Sequence, residues 1–212
     1  GGTAVVMDVA TGAVRGIANM YKRRDGSFDE SYNYATSHAT EPGSTLKLAA
    51  LMAMIEDRHI TLDTEVDAGN GVWYYGGARI TDTHRGGYGK LTAQEAFEKS
   101  SNIAFAKMIT ESYGDDPSVY ISRLHNMKLV EKLNLDIDGE GYAYIVSPGD
   151  RSWSVPSLAS LGYGYALTLT PLHILTFYNA VANGGKMMRP YFIEDFERDG
   201  IAVEDFGPSV VS

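Results

Sequence analysis

The order of strand-like and helix-like segments constrains the fold of this chain more than any other feature. Apolar and β-branched side chains fill both halves of residues 3–20, with a turn signal at Gly12 between them, and this pattern predicts an antiparallel hairpin. A second hairpin is expected over 191–206, around Asp199 and Gly200. Helix signals occupy most of the chain between them. Strands at both ends and helices between them predict an α+β fold in which helices cover an antiparallel sheet.

The segment that begins at Ser44 places apolar residues on most faces of a helix, which predicts a buried helix. The region 92–185 is expected to be largely helical because it carries several helix-boundary signals. These signals are the Thr92 and Glu95 capping pair, the Gly114 stop, the Asp116-Pro117 start, and the Thr170-Pro171 start of a helix that ends near Gly184.

Composition limits the class of protein. The chain is 44% apolar and 21% charged, which is typical of a folded domain, and we expect residues 1–212 to form one partial domain with no second domain. A formal net charge of −9 opposes electrostatic binding of nucleic acid. We interpret the basic run 22–24 as solvated surface. The absence of cysteine excludes disulfides, cysteine-based zinc sites and a cysteine nucleophile.

Ser44 and Lys47 are the first candidate site residues. Positions three apart share a face of a helix, so the hydroxyl and the amine can meet. The helix N-terminus and burial among apolar neighbours both disfavour the ammonium, and a lysine with a lowered pKa is the base that a serine nucleophile requires. The alternative is a capping serine beside a surface lysine.

Ser100 and Asn102 are the second pair. A serine hydroxyl can relay a proton, and an asparagine amide can hold a substrate carbonyl through its donor and its acceptor. Helix capping is the alternative for both residues.

These two motifs together resemble the active-serine pattern of penicillin-recognising enzymes. The similarity extends to residues 41–47, 86–102, 162–164 and 182–185. On these segments the chain is similar to penicillin-binding protein transpeptidase domains, and it looks most like the class B, division-type (septal) enzymes.

The resemblance implies a penicillin-binding-protein/β-lactamase-like fold and a peptidoglycan D,D-transpeptidase that cross-links stem peptides in septal cell-wall synthesis. It implies an acyl-enzyme on Ser44, which β-lactams also form, with Lys47 as the base, Ser100 as the proton relay and Asn102 positioning the substrate amide. The Ser44 backbone N–H would supply one arm of the oxyanion hole. No cofactor or metal is expected.

The resemblance also implies a parent protein anchored at the extracytoplasmic face of the bacterial inner membrane and associated with division proteins. The 212 residues themselves are expected to be soluble, since the most apolar stretch, 46–55, is about half the length of a membrane span.

One family motif is absent, because no lysine here is followed by Ser or Thr and then Gly. We expect that the later core strands are missing and the sheet is incomplete, and that the chain is marginally stable or self-associated. The resemblance implies that this motif lies on a later sheet strand, binds the substrate carboxylate and brings the second arm of the oxyanion hole. We therefore also expect the chain to be inactive, or to react only weakly with penicillin, because a lost oxyanion donor costs roughly a hundredfold or more in rate.

Two rival functions stay open: a β-lactamase, and a non-catalytic β-lactam sensor or division scaffold. Asp82 and His84 also invite a metal or base assignment, but one Asp-x-His pair without further ligands favours loop structure.

Overall fold

A computed structural model describes residues 2–198, 201–205 and 207–212. The helices are α1 (Tyr34–Ser37), α2 (Lys47–Glu56), α3 (Ala93–Glu98), α4 (Asn102–Tyr113), α5 (Pro117–Asn126), α6 (Ser157–Gly162) and α7 (Pro171–Ala182), and a 3-10 turn over Gly43–Leu46 leads into α2. The strands are β1 (Gly2–Met7), β2 (Val14–Lys22), β3 (Phe28–Asp29), β4 (Glu65–Asp67), β5 (Val72–Tyr75), β6 (Ala78–Thr81), β7 (Lys90–Thr92), β8 (Tyr144–Ile145), β9 (Leu167–Thr168), β10 (Asp195–Arg198) and β11 (Ile201–Asp205). Helices together with antiparallel strand pairs confirm the predicted α+β class.

The chain forms two compact units. One consists of Gly1–Thr40, Lys128–Ala143 and Leu169–Ser212, and the other of Glu41–Met127 and Tyr144–Thr168. The single partial domain expected from the sequence stays a prediction.

The first unit contains the predicted N-terminal hairpin. β1 and β2 pair antiparallel from Gly2 opposite Met20 to Met7 opposite Val14, and β3 pairs with the far end of β2. Buried Met7, Leu133 and Leu172 form one of its core clusters, against which Val5, Val14, Leu135, Leu175 and Phe192 pack.

The C-terminal hairpin also belongs to the first unit. β10 and β11 pair antiparallel within the predicted range 191–206. The Asp199-Gly200 turn signal behind that prediction lies outside the described residues.

Helix α4 lies at the centre of the helix packing in the second unit. Ile103, Ala104, Phe105 and Ala106 are fully buried, and α4 contacts α2, α3, α5 and α6. A Cβ built on Gly162 of α6 would lie 2.6 Å from Ile109 Cγ2, so glycine permits the close packing of α6 on α4. This packing fixes the helix whose N-terminus carries Asn102.

The helix starts follow local capping chemistry. Thr92 and Glu95 form the predicted capping box at α3, and the Asp116 side chain accepts a hydrogen bond from the Ser118 N–H at the start of α5. The segment after Ser44 begins as a 3-10 turn and becomes α-helical at Lys47. It is less enclosed than predicted, because Met52 and Ile55 are 36% and 38% exposed.

Within the residues that the structure describes, no helix is both long enough and apolar enough to cross a membrane.

Candidate active site

Ser44 lies on the 3-10 turn that precedes α2, with an exposed side chain. The turn is held by the Gly43 N–H, which donates to the Gly164 carbonyl at 2.9 Å. Gly164 has a φ of +94°, and a Cβ built there would lie 1.8 Å from the Gly43 carbonyl oxygen. Only glycine allows the two backbone segments to approach this closely. The contact fixes the backbone that presents the Ser44 hydroxyl.

Lys47 follows at the first position of α2 and is 1% exposed. Its Nζ lies 3.1 Å from Ser44 Oγ and 3.0 Å from Ser100 Oγ. The same nitrogen lies 2.7 Å from the Ser100 carbonyl oxygen and 2.8 Å from Asn102 Oδ1. The structure therefore brings all four sequence-predicted site residues together around one nitrogen atom.

Two opposing effects act on the Lys47 charge. Burial lowers the pKa of Lys47 to about 8, and the Asp82 carboxylate raises it, by a smaller amount. The Phe105 ring centroid lies 5.6 Å from Nζ, a contact that also favours the ammonium. The pKa is lowered as the sequence predicts, and a pKa of about 8 leaves about a tenth of the amine neutral at pH 7 and about half at pH 8.

The Ser100 backbone is in the left-handed region, with a φ of +55°. Few residues other than glycine adopt this conformation, and it costs on the order of 1 kcal/mol or more. Here it allows both the carbonyl oxygen and the hydroxyl of Ser100 to contact Lys47 Nζ.

The two residues that follow Ser100 anchor the turn to α4. Ser101 is fully buried, and its Oγ accepts a hydrogen bond from the Ala104 N–H at 3.0 Å as the N-cap of the helix. Asn102 Nδ2 donates to the Thr81 carbonyl at 3.0 Å. This bond leaves Asn102 Oδ1 directed at Lys47.

The partners of Lys47 determine what its amine can do. The Ser100 carbonyl oxygen and Asn102 Oδ1 can only accept hydrogen bonds, and together they take both N–H bonds of a neutral amine. The remaining lone pair can then accept the proton of a hydroxyl at Ser44 or Ser100, both within about 3 Å. The arrangement can therefore take a proton from Ser44 and pass one through Ser100.

Asp82 and His84 were interpreted from the sequence as loop residues, and only Asp82 makes hydrogen bonds to the candidate site. His84 Nδ1 lies 3.0 Å from the Gly87 carbonyl oxygen, and its ring stacks on Tyr88, which is a loop contact. Asp82 reaches the candidate site through Ser101 and Ile103. Its partners are 19 and 21 residues away in the chain, so no local spacing signal could have placed it there.

No group of three or more His, Asp or Glu side chains suited to a metal ion occurs within residues 2–198, 201–205 and 207–212.

An exposed serine and a buried lysine one helical turn apart, facing a Ser-x-Asn turn, define the active-serine class of penicillin-recognising proteins. The family model described as "Penicillin binding protein transpeptidase domain" matches residues 2–210, and the chain belongs to that family.

Individual relatives agree with this assignment. The chain is 32% identical over 203 residues to penicillin-binding protein PbpB of Mycobacterium tuberculosis, covering 91% of this chain and 28% of that protein. It is 28% identical over 198 residues to peptidoglycan D,D-transpeptidase FtsI of Escherichia coli, covering 91% and 32%. The chain thus spans about a third of the length of the curated relatives that it matches.

Solved structures share the fold. Penicillin-binding protein 3 of Mycobacterium tuberculosis in complex with aztreonam superposes with a TM-score of 0.79 at 29% identity, covering 99% of this chain and 47% of that one. The transpeptidase domain of Burkholderia pseudomallei penicillin-binding protein 3 gives a TM-score of 0.74 at 25% identity, covering 94% and 55%.

Proposed function

We propose that this chain carries the nucleophile and base of a serine-type peptidoglycan D,D-transpeptidase. The observation behind the proposal is the position of Lys47 Nζ, 3.1 Å from Ser44 Oγ and within hydrogen-bond distance of Ser100 and Asn102. Relatives of the chain are named as peptidoglycan D,D-transpeptidases, which supplies the substrate class of the proposal.

In the proposed acylation step, Ser44 Oγ attacks the carbonyl carbon of the D-Ala-D-Ala amide of a stem peptide. Its proton passes to the neutral Lys47 amine as the Oγ–C bond forms. The C–N bond then breaks, and the leaving D-Ala nitrogen takes a proton from Lys47 through the Ser100 hydroxyl. An amine of a second stem peptide then attacks the ester carbonyl carbon and gives a proton to Lys47. The C–Oγ bond breaks, Ser44 Oγ takes that proton from Lys47, and the new amide is the cross-link.

In the proposed mechanism, Asn102 orients the substrate and the Ser44 backbone N–H stabilises the oxyanion. Asn102 Nδ2 and Oδ1 are engaged by Thr81 and Lys47, so in this proposal the amide orients the substrate while it keeps Lys47 in place. The Ser44 N–H, at the start of a helical turn and without an intrahelical acceptor, would stabilise the oxyanion.

The ligands, partners and location of the whole protein are part of the proposal. Solved neighbours of this fold are complexes with aztreonam and ampicillin, and we propose that β-lactams acylate Ser44. We propose further that the whole protein acts in septal cell-wall synthesis with division proteins at the extracytoplasmic face of the inner membrane, as expected from its similarity to PbpB and FtsI. Self-association of the 212-residue chain also stays a prediction.

Acylation by a fluorescent penicillin tests the proposal. We expect slow but stoichiometric labelling of the 212-residue chain, slow because the lysine motif that binds the substrate carboxylate is absent from it. Peptide mass spectrometry should place the label on Ser44, and Ser44→Ala should abolish it. Ser122→Ala, which removes an exposed hydroxyl on α5, is the matched control and should label like the wild type.

Three outcomes contradict parts of the proposal. Labelling that persists in Ser44→Ala would show that Ser44 is not the nucleophile. The absence of any adduct after long incubation would show that this chain is not acylated. Release of hydrolysed penicillin over many turnovers would indicate a β-lactamase, because a transpeptidase stays acylated for long periods.

A further inference from the structure

Asp82 directly follows β6 and makes two hydrogen bonds to the start of α4. Its Oδ2 accepts from Ser101 Oγ at 2.9 Å, and its Oδ1 accepts from the Ile103 N–H at 3.1 Å. Both carboxylate oxygens are therefore used on the same turn. A carboxylate at a helix N-terminus is also favoured by the helix dipole.

The neighbouring residue holds the same turn. The Thr81 carbonyl accepts from Asn102 Nδ2 at 3.0 Å, so two consecutive residues bind Ser101, Asn102 and Ile103. On the opposite side, the Ser100 N–H donates to the Phe97 carbonyl at 3.0 Å, and the Ser101 N–H donates to the Ala96 carbonyl at 2.9 Å. The left-handed Ser100 conformation is thus held by bonds before and after it.

Asp82 also acts on Lys47 through its charge. The groups in contact with Lys47 Nζ are neutral: the Ser44 and Ser100 hydroxyls, two carbonyl-type oxygens and the Phe105 ring. Asp82 is the charged group that favours the Lys47 ammonium against burial. One side chain therefore links the geometry of the Ser100 turn to the charge of the base.

We propose that Asp82 is a positioning residue of the candidate active site. Its carboxylate fixes the turn from Ser100 to Asn102 against Lys47 and serves as the counter-charge of the Lys47 ammonium. The catalytic consequence rests on the function proposed above, whereas the contact and the charge effect do not.

Two substitutions separate the two roles. Asp82→Asn keeps the volume of the side chain, and its amide can still accept from the Ile103 N–H and donate to Ser101 Oγ. It removes the negative charge and reverses the hydrogen bond with Ser101, whose hydroxyl proton loses the Asp82 acceptor. Asp82→Ala removes the charge and both hydrogen bonds. Asp63→Asn neutralises an exposed carboxylate in the same unit and serves as the control.

The first measurement is an NMR titration of the Lys47 side chain in protein labelled with ¹³C at lysine Cε, with the signal assigned by its loss in Lys47→Arg. We expect a midpoint near pH 8 in the wild type, and a midpoint lower by roughly one pH unit in Asp82→Asn. Asp63→Asn should titrate like the wild type. A midpoint in Asp82→Asn that is unchanged or raised would overturn the counter-charge role.

The second measurement is the pH profile of Ser44 acylation by penicillin. In Asp82→Asn the acid limb should move to lower pH by the same amount, roughly one pH unit, because more amine is neutral at each pH. Asp82→Ala also loses the charge, so its acid limb should move in the same direction, while its rate above the midpoint should fall about tenfold or more, since a poorly placed base is costly. A wild-type rate and profile in Asp82→Ala would overturn the positioning role.

The two measurements distinguish the possible failures. If wild-type Ser44 is never acylated, the proposed function fails, while the titration of Lys47 still tests Asp82. If Asp82→Ala does not fold, as judged by circular dichroism, Asp82→Asn still decides whether the carboxylate sets the charge of Lys47.

Discussion

At the scale of single residues, the protonation state of Lys47 controls the proposed chemistry. Only the neutral amine can take the Ser44 proton, and burial lowers the pKa of Lys47 to about 8. Below that pH the ammonium dominates, so the acylation rate should rise about tenfold per pH unit and level off above the midpoint. Stopped-flow or quench measurements of penicillin labelling, corrected for spontaneous β-lactam hydrolysis, give this profile.

Lys47→Arg tests whether Lys47 is the base. Arginine keeps the positive charge and the donors but does not lose its proton in this pH range, so acylation should fall about 10²- to 10⁴-fold. A Lys47→Arg protein that labels at the wild-type rate would exclude Lys47 as the base.

The sequence predicts some of these residues better than others. Ser44 and Lys47 are three positions apart, so their meeting follows from helix geometry alone. The Ser100 turn meets Lys47 across 53 residues, and only the resemblance to a family of known fold brought the two motifs together in prediction. Asp82 has neither a helical spacing to the other site residues nor a place in a recognised motif. Its proposed role follows only from its tertiary contact with Ser101.

At the scale of elements, the turn that carries Ser44 depends on Gly164. Gly164→Ala would place a methyl group against the Gly43 carbonyl in addition to straining a φ of +94°. We expect a loss of about 2–4 kcal/mol in the free energy of unfolding, the sum of backbone strain and overpacking. The acylation rate should also fall about tenfold or more, because Ser44 moves relative to Lys47.

Gly149 provides the control for that change. Its φ is +99°, but no atom lies within 4 Å of a Cβ built there. Gly149→Ala should therefore cost only the backbone strain of about 1 kcal/mol and leave acylation unchanged. Urea unfolding and penicillin labelling measure both quantities, and equal behaviour of the two variants would contradict the role of Gly164.

The starts of three helices are predictable from local sequence. The starts of α3, α5 and α7 depend on hydrogen bonds between residues two or three apart, so the capping residues alone indicate them. The short pair of β8 and β9 joins Tyr144 to Thr168 and Ile145 to Leu167. Such long-range pairing has no local signal in the sequence.

At the scale of the whole molecule, the division into two units depends on distant contacts. Both carboxylate oxygens of Asp136 accept backbone N–H groups of Phe192 and Ile193, 56 and 57 residues later. The loop of Lys128–Ala143 thereby joins the C-terminal part of the first unit. The predicted element order does not specify such contacts, because the backbone N–H groups of a loop can be satisfied by many partners.

Buried His173 should make the stability of the whole chain depend on pH. Its Nδ1 lies 2.7 Å from Thr170 Oγ1 and its Nε2 lies 3.1 Å from the Glu131 carbonyl oxygen. A neutral ring satisfies both contacts if Nε2–H donates to Glu131 and the Thr170 hydroxyl donates to Nδ1. Burial lowers the pKa of His173, although the Glu131 carbonyl and the Glu140 charge oppose that effect.

A folded-state pKa below the unfolded value means that the unfolded chain takes up the proton first as the pH falls. The contribution of neutral His173 to stability is therefore fully present above about pH 6.5, the pKa of histidine in the unfolded chain. As the pH falls from there to the folded-state pKa, that contribution decreases by about 1.4 kcal/mol for each pH unit. Other acidic groups add their own pH dependence, so the comparison is with His173→Gln, which keeps a neutral amide but cannot titrate. Urea unfolding between about pH 7 and 5 should show a steeper decline for the wild type than for His173→Gln. Parallel declines would mean that the folded protein accommodates the imidazolium without cost, which is contrary to the effect of burial on the ring.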